Sequence, residues 1–257
     1  MKSNQLPKVS ILIPAFNEEK YILIALRALL KQRYPYMEII IADNASTDRT
    51  ALIVTRFIRD SPLAGISIRL VHEQRQGTNY ARECARKIAS GQVIVQLDAD
   101  CIPPPNWIWC GVSALYANKN TVAVTGPYDY FDAGALVRIS TFVAQKIMYP
   151  LVNSAVQLAG RGAILIGGNS FIDAATLEKA GGYDTAFTFY GDDAELGKRL
   201  SGYGSIAYMP ALTLPSSSRR YKANGFWEVN KKYQSSFWKL VWNQNSLQQT
   251  IETRHPR

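Results

Sequence analysis

Lys8-Val9-Ser10-Ile11-Leu12-Ile13-Pro14-Ala15-Phe16-Asn17-Glu18-Glu19 is the stretch on which the fold turns. Its first half, carrying Val9, Ile11, Leu12 and Ile13, reads as a short buried strand. Asn17-Glu18-Glu19 leads into an amphipathic helix from Tyr21 to about Gln32, with Ile22, Ala25, Leu26, Leu29 and Leu30 on one face. The unit then repeats. Pro35 breaks the helix, a second apolar run follows at Glu38–Ala42, then the polar Asp43–Asp48 and a helical pattern through Ile53, Val54, Phe57 and Ile58. Ser67–Val71 is a third predicted strand, Asn79–Ala89 a third helix, and Val93–Leu97 a fourth strand ending at Asp98-Ala99-Asp100.

Alternating strands and helices with nearly continuous apolar strands predict an α/β fold: a mostly parallel central sheet covered by helices on both faces. In such sheets ligands bind outside the carboxyl ends of the strands. The polar clusters Asn17–Glu18, Asp43–Asp48, Arg75–Thr78 and Asp98–Asp100 all fall there and are expected to converge on one cleft. After Pro103-Pro104-Pro105 the alternation stops. A helix-like stretch, Asn106–Ala117, a strand, Val122–Gly126, and a long, weakly polar region, Ala135–Ala159, follow. The expected organisation is a single domain over 1–220, with a nucleotide-binding half at about 1–102 and an acceptor-binding half at 103–220. An aromatic, basic helical extension occupies 221–257.

With 257 residues, 47% hydrophobic and 19% charged, the chain has the composition of a packed globular protein. A net charge of +9 points to an anionic partner. Nucleic acid is the least favoured one, because no helix-turn-helix, zinc-finger or RNA-binding signature accompanies the basic residues. Cys84, Cys101 and Cys110 match no metal-ligand spacing and read as thiols of a reducing cytoplasm. Met1–Lys8 is short, polar and contains Pro7, so no signal peptide is read there and export is not expected. No segment is apolar enough to span a bilayer, since Gly134–Gly168 carries Arg138, Lys146 and Arg161. Tyr221–Trp242 mixes Phe226, Trp227, Tyr233, Phe237, Trp238, Leu240 and Trp242 with four lysines. That mixture suits an anionic membrane surface, and equally a helix packed back on its own domain. The expected location is cytoplasmic, with peripheral association at the inner face of the membrane.

Asp98 and Asp100 follow a buried strand directly and project to the same side of an extended segment. Two hard oxygen ligands at a strand's end suit Mg²⁺ or Mn²⁺ carrying phosphates. In Asp43-Asn44-Ala45-Ser46-Thr47-Asp48, Ser46, Thr47 or Asp48 caps the next helix, whereas Asp43, at the very end of a strand, is placed to read the N–H edge of a base. Gly191-Asp192-Asp193-Ala194-Glu195-Leu196 is a second acidic group. Adjacent carboxylates repel, which raises one pKa and favours proton acceptance near neutrality; an acidic helix N-terminus favoured by the helix dipole is the other reading.

Together, Val9–Glu18, Ile40–Thr50, Gln76-Gly77 with Ala81-Arg82, Gln96–Asp100 and Phe189–Leu196 resemble the family 2 inverting glycosyltransferases, which have the GT-A fold. The resemblance covers Val9 to about Arg220. It implies that Pro14, Ala15 and Glu18 line the nucleotide pocket, that Asp43 binds the base, and that Arg75 and Gly77 sit near the nucleotide or its diphosphate. Asp98 would contact the ribose side, Ala99 would belong to the nucleotide-binding residues, and Asp100 would hold the metal. Gly168 and Asn169 would line the donor-sugar and acceptor side. Asp193 would be the base that deprotonates the acceptor hydroxyl, and Asp192 stands where the family's usual Glu does, with shorter reach. The implied reaction is a single inverting displacement from a nucleotide-diphosphate sugar, UDP favoured, to a hydroxyl of a lipid-linked or cell-envelope glycan, with a divalent cation on the leaving diphosphate.

One departure stands out. Many relatives carry a histidine after the last core strand, whereas the matching Leu214–Tyr221 has none and offers Arg219 and Arg220, whose guanidinium forks suit a diphosphate. Two other functions fit less well. A nucleotide-sugar-forming nucleotidyltransferase needs a glycine-rich phosphate loop near the first strand, and Pro14–Lys20 contains no glycine. A non-catalytic nucleotide-binding or scaffold relative would have lost the acids, yet Asp98, Asp100 and Asp193 are present.

Overall fold

The computed structural model describes residues 6–61, 65–187 and 191–242. Phe189 and Tyr190 of the acidic motif, His255 and the end of the C-terminal extension lie outside the described residues. The first four strands fall where the sequence pattern predicts them: β1 Val9–Ala15, β2 Met37–Asp43, β3 Ser67–His72 and β4 Val93–Leu97. Helices α1 Ile22–Leu29, α2 Thr50–Asp60 and α3 Thr78–Arg86 connect them, and α4 Trp107–Tyr116 leads into β5 Thr121–Thr125. Every residue of β2 and β4 is buried, which explains their apolar runs.

Beyond β5 the order is β6 Tyr128–Tyr130, α5 Ala135–Val143, a π-helical turn Ala144–Met148, α6 Tyr149–Leu158, β7 Asn169–Asp173, α7 Ala174–Lys179 and α8 Asp192–Ser201. β8 Ser205–Tyr208, β9 Leu214–Ser216, α9 Arg219–Asn224 and α10 Phe226–Trp242 complete it. Seven strands form one sheet in the order β3-β2-β1-β4-β7-β5-β8. The β1–β2, β2–β3, β1–β4 and β5–β8 pairs are parallel, and β7 runs antiparallel to both β4 and β5. Strands from both halves of the sequence thus share one sheet, and a two-stranded β6–β9 ribbon stands beside it.

Because strand side chains alternate, β1 divides its apolar residues between two cores. Val9, Ile11 and Ile13 pack with Ile22, Leu26 and Leu29 of α1, Val54 of α2 and Ile108 and Val112 of α4. Leu12 faces the opposite side with Ala81 and Ala85 of α3, Leu177 of α7 and Leu196 and Leu200 of α8. Helices therefore cover both faces.

The weakly polar stretch after β6 is helical. Pro150 has no N–H to continue the ladder, and the wider π turn immediately before it accommodates the ring. Among the described residues no helix is long and apolar enough to cross a membrane.

Candidate active site

The ends of β1 and β2 lie level, Ala15 opposite Asp43, and Asp43 in turn pairs with His72 at the end of β3. The loops leaving them are bonded to one another. Asn17 accepts from the backbone of Thr47 at 2.8 Å through Oδ1, and its own N–H donates to Ser46 Oγ at 3.0 Å. Asn44 donates to the carbonyls of Glu73 and Arg75 and accepts from the Gly77 N–H at 2.8 Å. Asn17 and Ala45 hold left-handed backbone at φ 56° and 58°, a conformation that an asparagine tolerates and an alanine adopts only under constraint. Arg49 stands at the N-cap of α2 with no side-chain cap bond, and Asp48, one residue earlier, accepts from the Thr50 N–H at 2.9 Å. These bonds hold the polar clusters of the first three strand ends together.

Asp43 is buried, with Oδ2 3.2 Å from His72 Nδ1 and Oδ1 without a partner among the described residues. A buried carboxylate oxygen with nothing to accept from is costly unless a ligand supplies the donor. Pro14 and Ala15 lie beside it on β1. Gly77 sits at φ 144°, and Arg75 turns back to Glu73 at 2.8 Å with its guanidinium over the Tyr80 ring.

A cleft of about 460 Å³ opens next to these strand ends. Asp98, Asp100, Gly168, Asp192, Asp193, Arg219 and Arg220 all line it. Pro14, Ala15, Asp43, Arg75 and Gly77 stand outside that lining, on the β1–β3 side, and Ala99, between the two acids after β4, turns into the hydrophobic core rather than towards a nucleotide. Glu18 joins the two groups: its carboxylate takes both terminal nitrogens of Arg219, whose Nε lies 2.9 Å from Asp100 Oδ2. Burial pushes the Glu18 carboxyl up to about 7, against the pull of Arg219. Burial also raises Asp100, and again Arg219 opposes the shift.

The acidic motif opens α8. Gly191 takes a left-handed turn at φ 98°, and Asp192 and Asp193 begin the helix, where its dipole favours negative charge. Both carboxylates meet Arg82 of α3, at 3.1 Å for Asp192 and 3.2 Å for Asp193, and Asp98 approaches the same guanidinium at 3.5 Å. Arg82 is only 4% exposed. Burial opposes its charge, but Asp193, Asp192 and Asp98 more than offset this and hold it protonated. For Asp193 the balance goes the other way: burial raises its pKa well above the ordinary carboxylate range, the Asp192 charge adds to the rise, and Arg82 only partly counters it.

Arg82 was legible only as part of a motif, without a role. The signal lay in its position: it falls on the same face of α3 as Ala81 and Ala85, where a charge is expected only with buried partners. Tyr128, whose hydroxyl donates to Asp98 at 2.9 Å, left no such signal. Gly168 has no side chain because a Cβ would stand 2.2 Å from that hydroxyl and 2.3 Å from the Asp98 carboxyl. Asn169 lies one residue further on but is fully buried. It accepts from Trp107 Nε1 at 3.0 Å and donates to the carbonyls of Pro127 and Leu212, so its carboxamide ties β7 to α4 and to the loops after β5 and β8.

Arg220 points to the Tyr233 hydroxyl on α10. That helix packs back over the cleft, with Val229, Tyr233, Phe237 and Trp238 in the lining and Trp227 and Trp242 exposed.

A sheet of this order with an acidic cleft at its carboxyl edge is the GT-A glycosyltransferase arrangement. A mannosyltransferase from Pyrobaculum calidifontis, solved with GDP-Man and Mn²⁺, superimposes with a TM-score of 0.66 over 89% of this chain and 61% of its own, at 22% identity. Staphylococcus aureus TarS 1–349 in complex with UDP-GlcNAc gives 0.61 over 82% and 59% at 19% identity. The family model described as Glycosyl transferase family 2 matches residues 10–181, and the chain belongs to that family. It is 27% identical over 246 residues to the probable glycosyltransferase YdaM of Bacillus subtilis, covering 94% of this chain and 54% of that protein. It is also 33% identical over 159 residues to WfgD of Escherichia coli, a UDP-Glc:α-D-GlcNAc-diphosphoundecaprenol β-1,3-glucosyltransferase, covering 62% of this chain and 58% of WfgD. The chain thus spans little more than half the length of these two relatives.

Proposed function

We propose that the chain transfers a sugar from a nucleotide-diphosphate sugar, UDP-linked by preference, to the hydroxyl of a glycan or lipid-linked acceptor, with inversion at the anomeric carbon. The observation that carries this reading is the Arg82 cluster: one buried guanidinium holds Asp192, Asp193 and Asp98 around a single cleft. The activity of WfgD, a UDP-Glc:α-D-GlcNAc-diphosphoundecaprenol glucosyltransferase, supports a UDP-sugar donor and a diphosphoundecaprenol-linked acceptor.

In this mechanism the residues 1–102 contribute the nucleotide side and 103–220 the acceptor side. Asp43 accepts from the base through Oδ1, which has no partner among the described residues, beside Pro14 and Ala15, while Glu18, Arg75 and Gly77 frame the nucleotide and its diphosphate. Asp98 and Asp100 are the residues that would hold Mn²⁺ or Mg²⁺. Among the described residues no third His, Cys, Asp or Glu joins them, and two carboxylates fit a hard cation that completes its shell with phosphate oxygens and water. When bound, the cation neutralises charge on the diphosphate. Arg219 and Arg220 add to that neutralisation in place of the absent histidine.

Asp193 takes the proton from the acceptor hydroxyl as its oxygen attacks the anomeric carbon and the bond to the diphosphate breaks. Its raised pKa suits proton acceptance near neutrality, and Asp192 and Arg82 fix its position. Gly168 lets the Tyr128 hydroxyl and the Asp98 carboxylate close up against the backbone just before β7 at the sugar side of the cleft. Peripheral association at the inner face of an anionic membrane, where a lipid-linked acceptor is found, completes the reading.

Thermal-shift titration against UDP, GDP, CMP and dTDP, each with Mn²⁺, Mg²⁺ or EDTA, tests the reading alongside Asp100→Ala. A cation-dependent stabilisation by one diphosphate, lost in the variant, is expected, because a ligand of the native state stabilises it by mass action. No shift with any nucleotide would favour the scaffold alternative.

A further inference from the structure

The run α5–π turn–α6 is inside-out. Of its four buried residues, Thr141, Gln145, Asn153 and Val156, three are polar: Gln145 accepts from the Tyr128 N–H, while Asn153 accepts from the Ile164 N–H and donates to the Ile206 carbonyl. Gln157 adds a pair of bonds to the backbone of Ile206. The outward stripe is apolar, with Leu136, Ile139, Phe142, Ile147, Leu151 and Leu158 each more than half exposed, up to 90% at Leu158. Scattered exposed leucines need no explanation, but a contiguous helical stripe of this length does. It was not left out for want of core, because the side facing the core is bonded through amides.

We propose that this stripe is the surface by which the protein lies on an anionic lipid membrane, with α5 and α6 in the plane of the interface. The proposal rests on the peripheral reading above and assigns it to a different element from the C-terminal extension. Charge selects the occupant. From Ala133 to Ile172 there is no Asp or Glu, whereas Arg138, Lys146 and Arg161 are present. Lys146 lies over the Phe142 ring, and Arg161 over the Trp242 ring of α10. Apolar side chains flanked by basic ones match an acyl boundary under anionic headgroups. A second copy is the poorer match, since a two-fold contact through one patch places that patch's cations against themselves. Arg138 reaches Asp129 at 3.4 Å, and that acid lies ahead of the helix on β6.

The stripe also leads to the cleft. Met148, 55% exposed, and Trp238, 39% exposed, both line the cleft, from α5–α6 and from α10. A membrane under the stripe would therefore bring a lipid-linked acceptor to the cleft that Asp193 lines.

The experiment is co-sedimentation of the full chain with vesicles of mixed zwitterionic and anionic phospholipid. It compares the native protein with Ile139→Ser/Ile147→Ser/Leu151→Ser and with Trp227→Ser/Trp242→Ser. None of these positions lines the cleft, so UDP-induced thermal shift serves as the control for folding and donor binding. The expected result is binding by the native protein, a loss of about tenfold or more in the α5–α6 variant, and an unchanged UDP shift. Loss only in the tryptophan variant would overturn the proposal while leaving peripheral association intact. Absence of binding by every form would overturn both. A native dimer that becomes monomeric in the α5–α6 variant, measured by light scattering, would assign the stripe to a second copy. Binding that appears only after removal of residues 243–257 would assign it to that segment.

Discussion

Arg219 Nε lies 2.9 Å from Asp100 Oδ2, so the start of α9 is tied directly to the acidic turn after β4. Residues more than a hundred positions apart thereby share one electrostatic site, with Glu18 as the third member.

Arg219→Ala is expected to weaken UDP binding in the presence of Mn²⁺ by tenfold or more, about 1.5 kcal/mol, the lower end for a charge-assisted contact. Isothermal titration calorimetry reads this directly. An unchanged or tighter affinity would remove Arg219 from the diphosphate site.

The pH dependence of kcat/KM is expected to carry an acidic limb from Asp193, which must be ionised to accept a proton. Its pKa is raised by burial and then by Asp192. In Asp192→Asn that second push disappears and Arg82 turns more fully to Asp193, so the ionised form is favoured and the limb moves to lower pH. A limb that stays in place or moves up would mean that Asp193 is not the titrating base.

Two glycines separate activity from stability. A Cβ at Gly167 would stand 2.1 Å from Asp193 Oδ1, whereas one at Gly111 would stand 2.3 Å from the buried Phe171 ring. Gly167→Ala should therefore displace a carboxylate that can move, lowering kcat by about a hundredfold, as small misplacements of a reacting group do, with little change in Tm. Gly111→Ala overpacks the core and should cost about 1–3 kcal/mol of stability with kcat nearly unchanged below the melting transition. Equal effects on both quantities in both variants would contradict this division.

Asn169→Ala is expected to behave as a structural variant. It takes the partner from the Trp107 N–H and the Leu212 carbonyl and one of two donors from the Pro127 carbonyl, which keeps the Leu214 N–H, at a cost of about 3 kcal/mol. Denaturant unfolding should show the loss. A selective fall in kcat at unchanged stability would return Asn169 to the sugar side of the cleft.

The sequence by itself determined the first half of the fold. β1 to β4 are apolar runs closed by polar turns, and α1 to α3 carry their apolar residues at helical spacing, so local chemistry was enough to write them in order. The acids were legible for the same reason: Asp98 and Asp100 follow a buried strand, and Asp192 and Asp193 open a helix, both readable from a few neighbouring residues.

Only the tertiary structure decided the rest, because those features depend on partners far along the chain. The antiparallel insertion of β7 between β4 and β5 is such a case, since five residues with no hairpin partner carry no register of their own. Arg82 gains its role only when α3 and α8 meet across 110 residues. The α5–α6 run inverts the usual rule that apolar side chains face inward, so its composition gave neither its helicity nor its orientation. What it buries are amides, and an amide can face a protein interior only where folding has already brought backbone donors and acceptors to meet it.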